Sequence, residues 1–420
     1  MMAALGLALG MTATAGSRGS LAVSIGWWIS TFTFYLVSIW AFHQNKFIVS
    51  KQFIVIAGLA LRLIAFPFPQ TLSDDPYRYH WEGRAQAQGV NPYVTPPGAG
   101  QTRVPVQEAT AGYGPVLELL EHANYRVAAA LSSGMDGQVF WMKLHPVVFE
   151  LATLALLYTL PATQLATYAW CPFPIVEFWW NGHNDAVAIF FVVAALQLGQ
   201  RDRWNLAFAA LGLATGAKWW PALLLPAFLY RHRRAAAFAA FGTALVVPAL
   251  PYLTGDVAPI LESARRMSGF LGGWRNNDSL FGAVLWLSGG DVYRAKWMAG
   301  GLVLLAAIGL ARLPLYRSAL ATITALLFLS ANCHPWYLTW FVPLLAFVES
   351  TPHVLWLGLM PICYIVLPDW WFLENWQGVR PERWLVYVPV FVFGLGGRQG
   401  HVRLQKEEGA LSTAVSAGDS

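Results

Sequence analysis

The sequence is poor in charge. Charged residues make up 12% of its 420 residues and hydrophobic ones 56%, with a mean hydropathy of +0.47. An ordinary soluble domain carries about 25% charged residues, and a core of this size cannot hide so much apolar surface from water. A soluble globular enzyme and a disordered chain are therefore excluded. Cysteine is scarce too. Cys171, Cys333 and Cys363 are odd in number, far apart and set among apolar or aromatic residues, so neither a disulfide scaffold nor a metal-ligand spacing is present. There is no Walker motif and no Rossmann fingerprint to cradle a soluble nucleotide. No sustained internal repeat is visible, which counts against a transporter built from inverted repeats. What the chain has in quantity is aromatic residues: 21 Trp, 15 Tyr and 25 Phe, suited to belts at the two faces of a bilayer. This is the composition of an all-α polytopic membrane protein.

Apolar runs fall at 21–42, 52–68, 142–160, 163–179, 185–200, 204–217, 218–230, 235–254, 296–311, 315–331, 336–348, 353–368 and 384–397. Several are shorter than the ~20 residues that cross a bilayer upright. Met1–Gly16 is apolar and uncharged, and reads as a further span, an uncleaved signal-like start or a frayed end. The expectation is a bundle of about 12–14 transmembrane helices. It forms one domain over 1–400, with a polar, disordered cytoplasmic tail over 401–420.

The net charge of +5 is unevenly placed. Taking short loops in alternation, Lys46 and Lys51, Arg201 and Arg203, Arg231, Arg233 and Arg234, and Arg312 and Arg317 fall on one side with the tail's Arg398, Arg403 and Lys406. The positive-inside rule makes that side cytoplasmic. The basic balance thus reflects topology and an anionic substrate rather than nucleic acid. The other side receives the long loops 69–141, 180–185, 255–295, 332–335 and 369–383, which hold nearly all the unusual polar motifs. Loops presented by a rigid scaffold are where chemistry concentrates. The loop 69–141 is too long for a connector. Val116–Leu131 within it alternates apolar and charged residues at helical spacing, as an amphipathic helix lying on the outer membrane surface would.

The densest cluster is Ser73-Asp74-Asp75-Pro76-Tyr77-Arg78-Tyr79-His80-Trp81-Glu82-Gly83-Arg84, followed by Gly89-Val90-Asn91-Pro92-Tyr93. It puts two adjacent carboxylates at the outer face, with Arg78 and Tyr79 about one helical turn on. A nearby cation keeps an Asp ionised, and an ionised Asp at a partly dry interface can serve as a general base toward a hydroxyl. The alternative is a solvated helix N-cap. Two adjacent carboxylates also suit a divalent cation without specifying one, so no residue is assigned as a metal ligand and a divalent cation is left open as a cofactor.

The pattern Asp-Asp-x-Tyr-Arg-Tyr-x-Trp-(acidic)-Gly-Arg, then Gly-x-Asn-Pro-Tyr, then Gly112-Tyr113-Gly114-Pro115, resembles the first outer loop of bacterial GT-C fold glycosyltransferases. These take sugar from a polyprenyl-phosphate donor. Within that group the sequence resembles glycosyltransferase family 87, with its polyprenol-phosphate-mannose-dependent mannosyltransferases. Trp180-Asn181-Gly182-His183-Asn184-Asp185, Lys218-Trp219-Trp220-Pro221 and His334-Pro335-Trp336-Tyr337 also resemble that group, so the likeness covers roughly residues 50–370. Glu82 stands where Asp is expected. The resemblance implies that the catalytic carboxylate lies in the first outer loop, on Asp75 or Asp74, with the spacing to Arg78 and Tyr79 favouring Asp75.

The remaining candidates each carry two readings. Glu177 and Asn181–Asp185 form a turn and helix cap, or place His183 and Asp185 in a sugar pocket. Lys218 lies between two short apolar arms. An ammonium at membrane depth costs on the order of 2.5–3.5 kcal/mol unless paired, so it either meets a lipid phosphate or snorkels to the interface. Arg275 in Arg275-Asn276-Asn277-Asp278 can grip phosphate through its fork or be solvated. His334 can contact phosphate or sugar. Trp336 and Tyr337, like Trp370, Trp371 and Trp376, are either sugar-stacking or belt residues. Glu150, inside a span, is either functional or paired with Arg62.

The expected activity is transfer of a hexose, mannose first, from a polyprenyl-phosphate donor to a lipid or glycan acceptor on the outer face of a bacterial cytoplasmic membrane, with inversion. Lys218, Arg275, His334 and Arg78 would face the donor phosphate. Tyr79, His183, Asp185, Trp336 and Tyr337 would face sugar or acceptor. A transporter or flippase for a lipid-linked or anionic substrate is the rival reading.

Overall fold

The computed structural model describes residues 21–44, 48–98, 100–101, 103–253, 260–261, 274–368 and 378–396. Met1–Gly16, the tail 401–420 and Trp370, Trp371 and Trp376 lie outside them. The principal helices are α1 (Leu21–His43), α2 (Lys51–Ala65), α3 (Asp75–Ala87), α4 (Pro115–Leu131), α5 (Met135–Leu157), α6 (Asp185–Gln200), α7 (Trp204–Ala217), α8 (Ala235–Tyr252), α9 (Val292–Leu310), α10 (Leu315–Leu329), α11 (Thr351–Val366) and α12 (Trp384–Gly396). Among the described residues no strand forms beyond an isolated bridge between Asn276 and Asn332.

Helices α1, α5, α8 and α9 are long and apolar enough to cross a membrane, and α6, α7, α10 and α11 are shorter apolar helices. The chain is an all-α polytopic membrane protein. Long helices are fewer, among the described residues, than the expected 12–14 because several apolar runs fold in pieces. Pro221, Pro335 and Pro343 each stand at the start of a short 3-10 segment. Proline has no N–H to donate and its ring clashes with the preceding turn, which breaks a longer helix.

Helix α6 is buried along most of its length and packs between α5 and α7, with α8 against α7. The pair Arg62–Glu150 ties α2 to α5 within this core. Arg62 Nε donates to Glu150 Oε2 at 2.9 Å and Nη2 to Oε1 at 2.5 Å. Its Nη1 reaches the carbonyls of Gly58 and Ala169, and Trp179 Nε1 donates to Glu150 Oε2 at 3.0 Å. The charges are paired and their hydrogen-bonding capacity is used, which is what makes a buried ion pair tolerable.

The loop 69–141 folds as α3 and α4 packed on each other. Gly83 permits the approach, since a Cβ there would stand 2.5 Å from the Glu121 carbonyl oxygen and 2.7 Å from Tyr125 Cβ. At the other end, a Cβ on Gly114 would stand 2.1 Å from the Gly216 carbonyl oxygen, and Gly114 N donates to the Ala217 carbonyl at 3.0 Å. That contact brings the start of α4 against the end of α7, where Lys218 follows. Helix α4 forms over the expected residues but turns its acids inward. Glu118, Glu121 and Asn124 are buried against α3, while Val127 and Leu131 are exposed.

Candidate active site

Helix α3 starts at Asp75 with Pro76 next, a residue whose fixed φ suits the first turn. Asp74 precedes it at the cap position, yet its side chain makes no capping hydrogen bond; the Asp75 N–H donates instead to Ser73 Oγ at 3.2 Å. The capping hydrogen bond is thus made by Ser73, and the Asp74 side chain is not part of it. Further contacts hold this loop from behind. Trp180 Nε1 donates to the Pro69 carbonyl at 2.8 Å, and Leu72 N donates to Asn181 Oδ1 at 3.2 Å. Asn181 follows a buried π-helical turn, Ile175–Trp180, and Gly182 at φ +75° lets the chain reverse into His183. π-Helical turns are rare and concentrate at functional sites.

Asp74, Asp75, Arg78, Tyr113, His334, Trp336 and Tyr337 line one cavity, with Glu82, Asn276 and Tyr364 also on its wall. Five separated stretches of sequence thus meet in one place. Tyr79, His183, Asp185 and Lys218 stand directly behind the lining. The Tyr79 hydroxyl donates to Asp75 Oδ2 at 3.3 Å. Burial and the Asp75 carboxylate push the Tyr79 phenol upward, so it stays a donor. Burial also raises the Asp75 carboxyl above the ordinary carboxylate range; His183 and Lys218 pull it down, while Asp185 and Asp74 add to the rise.

Lys218 Nζ lies 3.3 Å from Asp185 Oδ2 and 4.3 Å from the centre of the Tyr113 ring. The other Asp185 oxygen accepts from Trp340 Nε1 at 2.7 Å, and Trp340 stacks on Trp220. The cation expected to need a lipid phosphate already has a protein partner. Trp336 stacks with two imidazoles, those of His183 at 4.3 Å and His334 at 4.4 Å between ring centres. It is a cavity wall rather than a belt residue. His183 Nδ1 lies 3.1 Å from Glu177 Oε2, and Glu177 also accepts from the Tyr364 hydroxyl at 2.9 Å. Asn276 Nδ2 lies 2.8 Å from His334 Nδ1. An amide donor at that position leaves the ring proton on Nε2. Burial, with His183 and Lys218 adding to it, pushes His334 down to about 3, so it acts as a neutral donor.

Arg78 is largely engaged within the protein. Nε donates to Glu82 Oε1 at 2.6 Å, and its two amino groups donate to the carbonyls of Val106 and Ala109. Three of the five guanidinium N–H groups are used to fold the loop. Arg275 is not brought to the cavity. Its Nη2 pairs with the buried Asp278 at 2.6 Å, and it faces a separate groove with Trp286, Arg383 and Trp384. The structure thus does not bring Arg275 together with Asp75 and His334. Trp274 and Asn276, its neighbours on either side, do reach the cavity.

Sequence reasoning missed Tyr364 and Trp340, which carry no motif, and the acids Glu118 and Glu121. The spacing of the two acids on one helical face was available as a signal. Among the described residues, Glu82, Glu118 and Glu121 form a group of three acids close enough together to hold a metal ion.

A model of the MptA_B family, described as alpha-(1->6)-mannopyranosyltransferase, N-terminal domain, matches residues 6–233. The chain belongs to this mannosyltransferase family. The match takes in α1 to α7, with Asp74, Asp75, Tyr79, His183, Asp185 and Lys218, and it makes the protein a membrane glycosyltransferase. No curated protein and no solved structure matches the chain.

Proposed function

We propose that the protein is a GT-C-type mannosyltransferase that moves mannose from a polyprenyl-phosphate donor to an acceptor hydroxyl, with Asp75 as general base. The observation that carries this reading is the position of Asp75. It lies on the cavity wall, held by Tyr79 and backed by the Lys218–Asp185 pair. In the reaction the acceptor oxygen attacks the anomeric carbon as Asp75 takes the hydroxyl proton. The bond from the anomeric carbon to the phosphate oxygen breaks, and the lipid phosphate departs with the electron pair. One displacement inverts the configuration, so an α linkage of the kind in the family's description requires a β-linked donor. A carboxyl raised by burial is a stronger base than one in water, which suits proton removal from a hydroxyl.

The departing phosphate gains charge, and preorganised donors stabilise it. Arg78 and the neutral His334, on the cavity wall, are the assigned donors, and Lys218, paired with Asp185 behind the wall, adds its positive field. Trp336 and Tyr337 form the wall the sugar meets, with His183 and Asp185 supporting it from behind. The donor's tail lies in the bilayer and its phosphate at the outer face, in a bacterial cytoplasmic membrane. The transporter reading drew on intramembrane Glu150, Arg62 and Lys218; each has a partner within the protein, so none is left to serve a moving charge.

The test uses purified protein in vesicles with radiolabelled β-linked polyprenyl-phosphate mannose and a mannoside acceptor. Formation of an α-linked product supports the reading. Movement of label across the vesicle without transfer contradicts it.

A further inference from the structure

Glu82 lies two turns beyond Asp75 on α3, and Glu118 and Glu121 face it from α4. All three are fully buried, and one carboxylate oxygen from each lies within 4.8 Å of the other two. Each acid engages one oxygen with a donor: Glu82 Oε1 accepts from Arg78 at 2.6 Å, Glu118 Oε2 from Gln86 at 3.1 Å and Glu121 Oε1 from Asn184 at 3.0 Å. The second oxygen of each, Glu82 Oε2, Glu118 Oε1 and Glu121 Oε2, is buried without a hydrogen-bond partner, as is Asn184 Oδ1. Buried polar atoms are ordinarily satisfied, and each exception asks for an explanation. The three acids thus each keep an unpartnered oxygen in a group close enough to share one cation, and Asn184, bonded to Glu121, adds a further unpartnered oxygen. Ionised together, the three carboxylates would leave two negative charges against the single guanidinium of Arg78, the charge a divalent cation balances.

We propose that Glu82, Glu118 and Glu121, with Asn184 beside them, bind one divalent cation of the hard, oxygen-preferring class, and that this ion pins α3 to α4. Hard cations such as Ca²⁺, Mg²⁺ and Mn²⁺ take carboxylate and amide oxygens, and the set contains no imidazole or thiolate. The ion does not touch the reacting atoms. Its effect passes through α3, whose first residue is Asp75, so these are positioning residues. The proposal stands on the orphaned oxygens and is independent of the transfer reaction, so a failure of either leaves the other intact.

The experiment titrates Mn²⁺ into purified, chelator-treated full-length protein in detergent and follows free Mn²⁺ by electron paramagnetic resonance. The expected result is one saturable Mn²⁺ per chain, displaced by Ca²⁺ or Mg²⁺, with a rise in Tm on loading. Glu118→Asp, which keeps the charge but shortens the side chain, should weaken binding at least about tenfold. Glu118→Gln/Glu121→Gln should abolish it, while Glu349→Gln, at an exposed position, should leave it unchanged. A wild-type protein that binds no Mn²⁺ overturns the proposal and leaves shared protons to hold the cluster together. Binding that survives in Glu118→Gln/Glu121→Gln overturns it equally.

Discussion

Lys218 Nζ stands 3.3 Å from Asp185 Oδ2, joining the end of α7 to the start of α6 immediately behind the cavity. Asp185 is fully buried and Lys218 nearly so. Removing one member of such a pair strands the other charge. Lys218→Met should therefore destabilise the protein by about 3–5 kcal/mol and suppress transfer. Lys218→Met/Asp185→Asn should recover most of the stability and little of the activity. Thermal unfolding in detergent, run beside a transfer assay, separates the two effects.

The raised Asp75 carboxyl sets a pH dependence. A general base works only when deprotonated, so the rate should fall as pH drops through the Asp75 pKa. The midpoint of that fall should lie above the ~3.9 of an ordinary Asp. The Tyr79 hydroxyl donates to the charged carboxylate, and a hydrogen bond to the charged form lowers a pKa. Tyr79→Phe should move the acid limb to higher pH with a modest loss of rate at its plateau. The pH profile of kcat/KM checks both directions.

Arg78 and Arg275 should behave differently. Arg78→Ala should reduce transfer by more than about tenfold, because Arg78 lines the cavity and holds the Val106–Ala109 segment. Arg275→Ala should leave the rate per folded molecule within a few-fold and lower stability, since its partner Asp278 is buried. Transfer rates normalised to folded protein distinguish the two.

Gly83 reports on the packing of α3 against α4. Gly83→Ala introduces a Cβ 2.5 Å from the Glu121 carbonyl oxygen. Overpacking of this kind costs about 1–3 kcal/mol, and here it displaces the helix that begins at Asp75. Tm and transfer should fall together. An unchanged Tm would show that the helices separate easily.

The sequence made some of this plain and hid the rest, for physical reasons. Apolar runs report burial from water, so the membrane class and all-helical fold were legible from composition and period alone. The residues of the cavity wall were legible where unusual polar groups cluster locally, as at Asp74–Arg78 and His334–Tyr337. Pairings between distant segments were not. Nothing near Lys218 in sequence announces Asp185 as its partner, whereas Asp278 stands three residues from Arg275 and their pairing was within reach of the motif itself. Arg62–Glu150 could be anticipated because two opposite charges inside spans have few other options. Helix α4 was legible as amphipathic, but periodicity alone does not say which stripe faces inward. The contact through Gly83 set that, and it turned Glu118 and Glu121 toward Glu82.

The most direct test of the central claim compares Asp75→Asn with Asp74→Asn, both folded and reconstituted, in single-turnover transfer from polyprenyl-phosphate mannose. The account predicts a loss of about 10²–10⁴-fold for Asp75→Asn, the range of a missing general base, and a far smaller loss for Asp74→Asn. Full activity in Asp75→Asn, or the larger loss in Asp74→Asn, would contradict it.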